Sequence, residues 1–352
     1  MRKMIQTLVL LFTALTFSAC LKPDPIENET VVDVTLLDVM ETQAYARDVV
    51  AQGSKVFVAA SQAGNQIWDT SGDEPEMIFQ HAFSSNPALR VTLEPETRLL
   101  FAFDKTQGFH KSLNPELTAF DSVYINHAIW ISLFENGLFG SGSNEDFVAR
   151  KLNDSLVALY VIDRTSNDGL KQYYFNRGYE AAFGFYYWEL VNVGASTGGI
   201  NLGLDLRDSL LAISHDELGI GLYLLNGVAL DTLATANTSG EALEVTFYDN
   251  YVLSANNWAG MGVYSLGIGE SELTHMADIE VNGWVKQISI WEDVAILSCG
   301  ENSIFLVDLS DPAHPKVDQW IDAGYTYRTF VQDDVIFAAT REGVKRYQLD
   351  AR

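Results

Sequence analysis

The sequence predicts an all-β fold, a single β-propeller of four-stranded blades, on three observations. Short apolar strands that follow a polar turn recur at a near-constant spacing. Each is flanked by further short strands at similar offsets. No helical periodicity of useful length interrupts the series.

The recurring strands are "KVFVAA" at Phe57, "RLLFAF" at Leu100, "GLFGS" at Leu138, "SLLAIS" at Leu210, "YVLSAN" at Val252, "VAILSC" at Ala295 and "VIFAAT" at Ile336. Successive steps are 43, 38, 72, 42, 43 and 41 residues. The outlier equals two steps of 36, and "QYYFN" at Tyr174 sits at its midpoint. Periods of roughly 40–45 residues with short strands are the spacing of propeller blades.

A companion strand follows each anchor after about ten residues and another about ten later, and one precedes it. Examples are "QIWDT", "DFVARKL", "GLYLL" and "IFLVDLS", then "EMIFQHAF", "SLVALYVI" and "KVDQW". Alternating apolar positions and Gly/Asn/Asp punctuation favour strands over helices. The count is eight four-stranded blades, or seven if residues 141–199 hold one irregular unit. The last unit, residues 329–350, supplies three strands. The early strand "VVDVTLLDV", residues 31–39, is free to complete it and close the ring, which removes a sheet edge.

Residues 301–320, "ENSIFLVDLSDPAHPKVDQW", read as strand, Asp-Pro turn, strand. Asp308 and Asp311 suit hydrogen bonds to turn amides, and Pro312 presets φ. Residues 304–315, "IFLVDLSDPAHP", resemble the LVIVD repeat of exported bacterial and archaeal β-propellers, and "NQIWDTSGDEPEM" around Trp68 is a fainter copy. The resemblance implies a propeller. It implies no catalytic residues, because that signature is structural.

Residues 1–19 read as a lipoprotein signal peptide. Arg2 and Lys3 precede an apolar run over 4–17, and Ser18-Ala19-Cys20 places small residues before a cysteine. Cys20 looks like the lipidated first residue of a mature bacterial lipoprotein, and an acylated cysteine anchors to a membrane. Residues 20–30 form an acidic, proline-bearing tether. Residues 31–352 form the propeller domain. The expected location is the outer membrane or cell surface.

The formal charge is −25, and removal of Arg2 and Lys3 makes the mature chain two charges more acidic. Such a surface repels nucleic acid, so none is expected as a partner. Cys299 is the one cysteine beyond Cys20, which leaves no intrachain disulfide in the mature chain. Its setting at a strand end suits a small buried hydrophobe.

No catalytic set emerges. Residues 194–198 match G-x-S-x-G, but a strand pattern follows where a nucleophile elbow needs a helix. The six histidines lack zinc spacing, and no calcium loop is present, so neither metal nor cofactor is expected. Tyr173, Tyr174, Phe175 and Trp188 belong to an aromatic run that suits packing between blades. Trp258, among turn formers, is a better candidate for exposure.

One constellation is positional. Residues that open each innermost strand line the mouth of a propeller's axial channel, where ligands bind. These are Arg47 and Asp48, Arg90, Trp130, Asn201, Glu244, Lys286 and Gln287, and Arg328. Arginines there suit a carboxylate, a phosphate or an acidic side chain. The competing reading pairs them with neighbouring Asp and Glu. The functional expectation is a lipid-anchored scaffold that binds an envelope protein or peptide. The alternatives are a carbohydrate- or small-anion-binding lipoprotein, and a propeller hydrolase or lyase.

Overall fold

The computed structural model describes residues 30–81, 87–97, 99–104, 108–111, 144–163, 169–180, 185–196, 201–227, 229–267, 269 and 271–352. Every regular element among them is a β-strand. In chain order the strands are β1 (Val32–Met40), β2 (Asp48–Gln52), β3 (Lys55–Ala59), β4 (Asn65–Asp69), β5 (Glu76–His81), β6 (Ala88–Glu94), β7 (Leu99–Asp104) and β8 (Gly108–Lys111). Then come β9 (Asn144–Asn153), β10 (Leu156–Asp163), β11 (Leu170–Glu180), β12 (Phe185–Ser196), β13 (Gly203–Arg207), β14 (Leu210–Ser214), β15 (Ile220–Asn226) and β16 (Ala229–Ala236). The series continues with β17 (Glu244–Tyr248), β18 (Tyr251–Ala255), β19 (Met261–Leu266), β20 (Leu273–Ile279), β21 (Gln287–Trp291), β22 (Val294–Ser298), β23 (Ile304–Asp308) and β24 (Lys316–Ile321). It ends with β25 (Thr326–Gln332), β26 (Val335–Thr340) and β27 (Gly343–Ala351).

Among the described residues these strands form six four-stranded antiparallel sheets and one three-stranded sheet, β6-β7-β8. The innermost strands touch in a closed ring: β2, β6, β9, β13, β17, β21, β25 and back to β2. The all-β propeller class therefore agrees with the sequence. The expected eight four-stranded blades, and the alternative of seven, are corrected to six four-stranded blades, with the three-stranded sheet between two of them. The count of eight fails in residues 144–196, and the count of seven fails at β6-β7-β8, which has three strands among the described residues. Residues 144–196 form one sheet whose strands run 8 to 12 residues, against five to seven in the blade of β21–β24 or β17–β20. "DFVARKL", expected as the companion that follows an anchor, is the innermost strand β9, and Tyr174 lies on the third strand. The anchor at Leu138 lies outside the described residues.

β1 pairs with β27 from Val32↔Ala351 to Met40↔Val344, so the first described strand completes the last sheet. This closure joins strands about 310 residues apart in sequence and covers the outer edge of β27.

The core is divided among the interfaces between consecutive sheets. Val56 and Val58 pack toward Phe337 and Ala339 of the last sheet. Phe57, between them on β3, packs toward Val91 and Leu100 of the next. A second strand is thus buried on both faces, which is why it reads as a continuous apolar run. β14 and β22 are buried at all five positions. The outermost β20 is buried at none. Burial of each large aliphatic side chain contributes roughly 1.5–3 kcal/mol, so these runs dominate the stability of the ring.

Two turns repeat. Tight hairpins join the first and second strands, with positive φ at Asp208 (52°), Asp249 (42°), Glu292 (47°) and Asp333 (52°). The turn between second and third strands has positive φ at Ser61, Asp216 and Asn257, and at Gly300. Each of these four residues bridges to the entrance of the next sheet, at Ala88, Ala242, Val285 and Thr326. One turn therefore both reverses the chain and locks its sheet to the next.

Candidate functional site: the axial channel and its mouth

Side chains on the innermost strands weld the sheets together around the axis. Asp48 on β2 accepts the backbone N–H of Val91 on β6 at 3.1 Å. Asp146 on β9 accepts Leu204 N–H on β13 at 3.3 Å, and Asp205 on β13 accepts Phe247 N–H on β17 at 2.8 Å. Gln287 on β21 accepts Thr329 N–H on β25 at 2.8 Å. Each places an acceptor on a donor that a lone sheet would leave to water.

A charge network runs through these struts. Arg90 contacts Asp146 through Nη2 and lies 3.5 Å from Asp48. Arg328 lies 3.3 Å from Asp48 and donates to Glu244 at 2.6 Å. The order is Asp146, Arg90, Asp48, Arg328, Glu244. β-Bulges at Leu89 and Tyr327 let β6 and β25 turn these arginines to the axis. Asp48, Asp146 and Glu244 are nearly fully buried. Burial pushes the Glu244 carboxyl above its ordinary range, against the pull of Arg328 and Arg90. Burial likewise pushes Asp205 up to about 6. Gly203 sits beside Glu244, and an added Cβ would stand 2.6 Å from the Glu244 Cα. Only glycine lets β13 and β17 approach so closely there.

Above this network lies a cavity of ≈ 470 Å³, bordered by Arg47, Arg90, Glu244, Lys286, Tyr325, Tyr327, Arg328 and Arg341. The Arg47 Cζ stands 4.2 Å from the Tyr327 ring centre. The Arg341 Cζ stands 3.9 Å from that of Tyr325 and 5.9 Å from that of Tyr45. Lys286 Nζ donates to the Tyr325 hydroxyl at 2.9 Å. The Tyr325 and Tyr327 ring centres are 4.6 Å apart. A second hollow of ≈ 430 Å³ adjoins it and shares Lys286 and Tyr325. Trp284, Cys299 and Asn302 border that hollow.

The structure therefore gathers five of the expected mouth residues, Arg47, Arg90, Glu244, Lys286 and Arg328, around one cavity. Asp48 lies among them as the partner of both Arg90 and Arg328. Gln287 is turned into its own sheet interface, where Ser298 and Thr329 donate to it. Asn201 is buried and bonds His215 at 2.7 Å. Trp130 and Cys20 lie outside the described residues.

Sequence reasoning missed Asp146, because β9 was read as a companion that follows an anchor and not as an innermost strand. It also missed Arg341, Tyr325 and Tyr327. Arg341 sits in the turn between β26 and β27, the position that Trp258 holds in its own blade. Aligning "NNWAG", "HDELG" and "SQAGN" on that turn would have exposed it.

The remaining motifs are structural. Asp308 accepts Ser310 N–H at 2.8 Å, and Asp311 accepts Ala313 N–H at 3.2 Å. Gly194 to Ser196 end the strand β12. Tyr173, Phe175 and Trp188 pack with Phe101 and Phe147 between two sheets. Cys299 is buried, and burial pushes its thiol up to about 12.

No family model matches the chain, and no curated protein matches it. Solved structures do. The WD40 beta propeller domain of Doa1 matches over 91% of this chain and 97% of its own, with a TM-score of 0.62 and 11% identity. The computationally designed Ika8 protein matches over 88% of this chain and 98% of its own, with a TM-score of 0.56 and 8% identity. At such identities the likeness speaks for the fold alone, and the chain is a β-propeller.

Proposed function

We propose that this propeller is a binding scaffold that receives a partner protein on the face around the channel mouth. One observation carries the reading. Trp258 and Trp284 are 61% and 63% exposed. They stand opposite each other across the antiparallel bridge Asn257↔Val285, next to Lys286. Large exposed aromatic residues beside arginine and lysine supply apolar area at low entropic cost, and interface hot spots share this composition. Tyr45, 49% exposed beside Arg341, extends the same face.

The sequence of residues 1–30 supports an envelope location, with a lipid on Cys20 holding the propeller by its tether. The segment at 304–315 supports kinship with the LVIVD-repeat propellers.

The test is capture from detergent-solubilised envelopes with the full, natively processed chain as bait. The expected result is a stoichiometric protein partner that a Trp258→Ala/Trp284→Ala variant no longer retains, with thermal stability unchanged. A partner held equally by the variant overturns the reading.

A further inference from the structure

Three cations surround the mouth: Arg47, Lys286 and Arg341. None forms an ion pair with a carboxylate among the described residues, in a chain whose formal charge is −25. Arg90 and Arg328, just below, are both held between carboxylates.

The rim cations are not loose. Tyr327 and Tyr325 stack beneath the guanidinium groups of Arg47 and Arg341, and the Tyr325 hydroxyl accepts from Lys286. An aromatic face stabilises a guanidinium but takes up none of its five in-plane N–H donors. Arg341 gives a side-chain hydrogen bond to Tyr327, and the donors that remain keep the planar fork that matches a carboxylate. The network below adds an excess of one carboxylate over arginine when all five groups are ionised. The three rim cations outnumber that excess.

Resting on the scaffold reading above, we infer that the Arg47–Lys286–Arg341 rim is a carboxylate-binding subsite, and that it takes the acidic side chains of a segment of the partner. A free polycarboxylate presents the same chemistry, and the experiment separates the two sources.

The test is calorimetric titration of the full chain with acetylated, amidated tetraglutamate, with the tetraglutamine peptide as neutral control and citrate as the free acid. Tetraglutamate is expected to bind, more weakly as salt is added, while tetraglutamine does not. Arg47→Gln/Arg341→Gln should weaken binding by at least about tenfold. Arg47→Lys/Arg341→Lys, which keeps charge but loses the fork, should weaken it less. Citrate binding more tightly, with the same arginine dependence, would support the subsite and assign it to a free acid. No binding of either acid by folded protein overturns the inference, as does binding that the glutamine variant leaves unchanged. Loss of a partner in the Trp258→Ala/Trp284→Ala variant with no tetraglutamate binding in the parent would sink the subsite alone. Tetraglutamate binding without any tryptophan-dependent partner would sink the scaffold reading alone.

Discussion

Two sets of arginines border the same cavity, and they behave differently. Arg90 and Arg328 are set into the channel wall by β-bulges and held by Asp48, Asp146 and Glu244. Arg47 and Arg341 lie on tyrosine rings at the mouth. In the wall, loss of water forces each charge to find an opposite one, because an unpaired buried charge is far costlier than a paired one. At the rim, water still reaches the groups, and a stacking surface is enough. Residue type alone does not separate a structural arginine from a candidate ligand contact here. The neighbour does: a buried carboxylate in the wall, a tyrosine ring at the rim.

The largest expected effect breaks the wall. Arg328→Ala leaves Glu244 and Asp48 facing each other without their shared cation. It should lower unfolding free energy by about 3–5 kcal/mol, read from urea denaturation. A loss below one kcal/mol would mean that the network is not a structural element.

A smaller effect concerns pH. Asp205 is half-buried, its carboxyl pushed up to about 6 by burial and, less, by nearby Glu244, against the amides of Phe247 and Leu206. Its ordinary value is 3.8, so the folded protein holds this proton more tightly than the unfolded chain does. The stability it contributes is present below that value and is lost as pH rises from 3.8 to about 6. Measured against Asp205→Asn, the parent should lose a few degrees of melting temperature across that window and nothing further above it. A constant gap between the two proteins would contradict the shift.

The smallest effect sharpens the contrast. Arg47→Gln/Arg341→Gln should change unfolding free energy by no more than about 0.5 kcal/mol per substitution. If the rim variant unfolds as readily as Arg328→Ala, the rim belongs to the fold, as the wall does.

The fold was legible wherever strands are short and buried on both faces. "KVFVAA", "SLLAIS", "YVLSAN" and "VAILSC" all became second strands, since double burial writes an unbroken apolar run into the sequence. Legibility failed at residues 144–196. Strands of 8 to 12 residues repeat the apolar pattern within one strand, so spacing alone counted extra units. The mouth was half legible. Strand openings found Arg47, Arg90, Glu244, Lys286 and Arg328, but Arg341 enters from a turn and Tyr325 from a connecting loop, which share no periodicity with the strands.

The sequence by itself determined the repeat, the all-β class, the acidity and the strand that closes the ring. All follow from local pattern and composition, which need no knowledge of what lies opposite. Only the tertiary structure decided how many sheets share the axis and which arginines are neutralised. Pairing across the channel joins residues as far apart as Glu244 and Arg328, and that partnership exists only once the ring has closed.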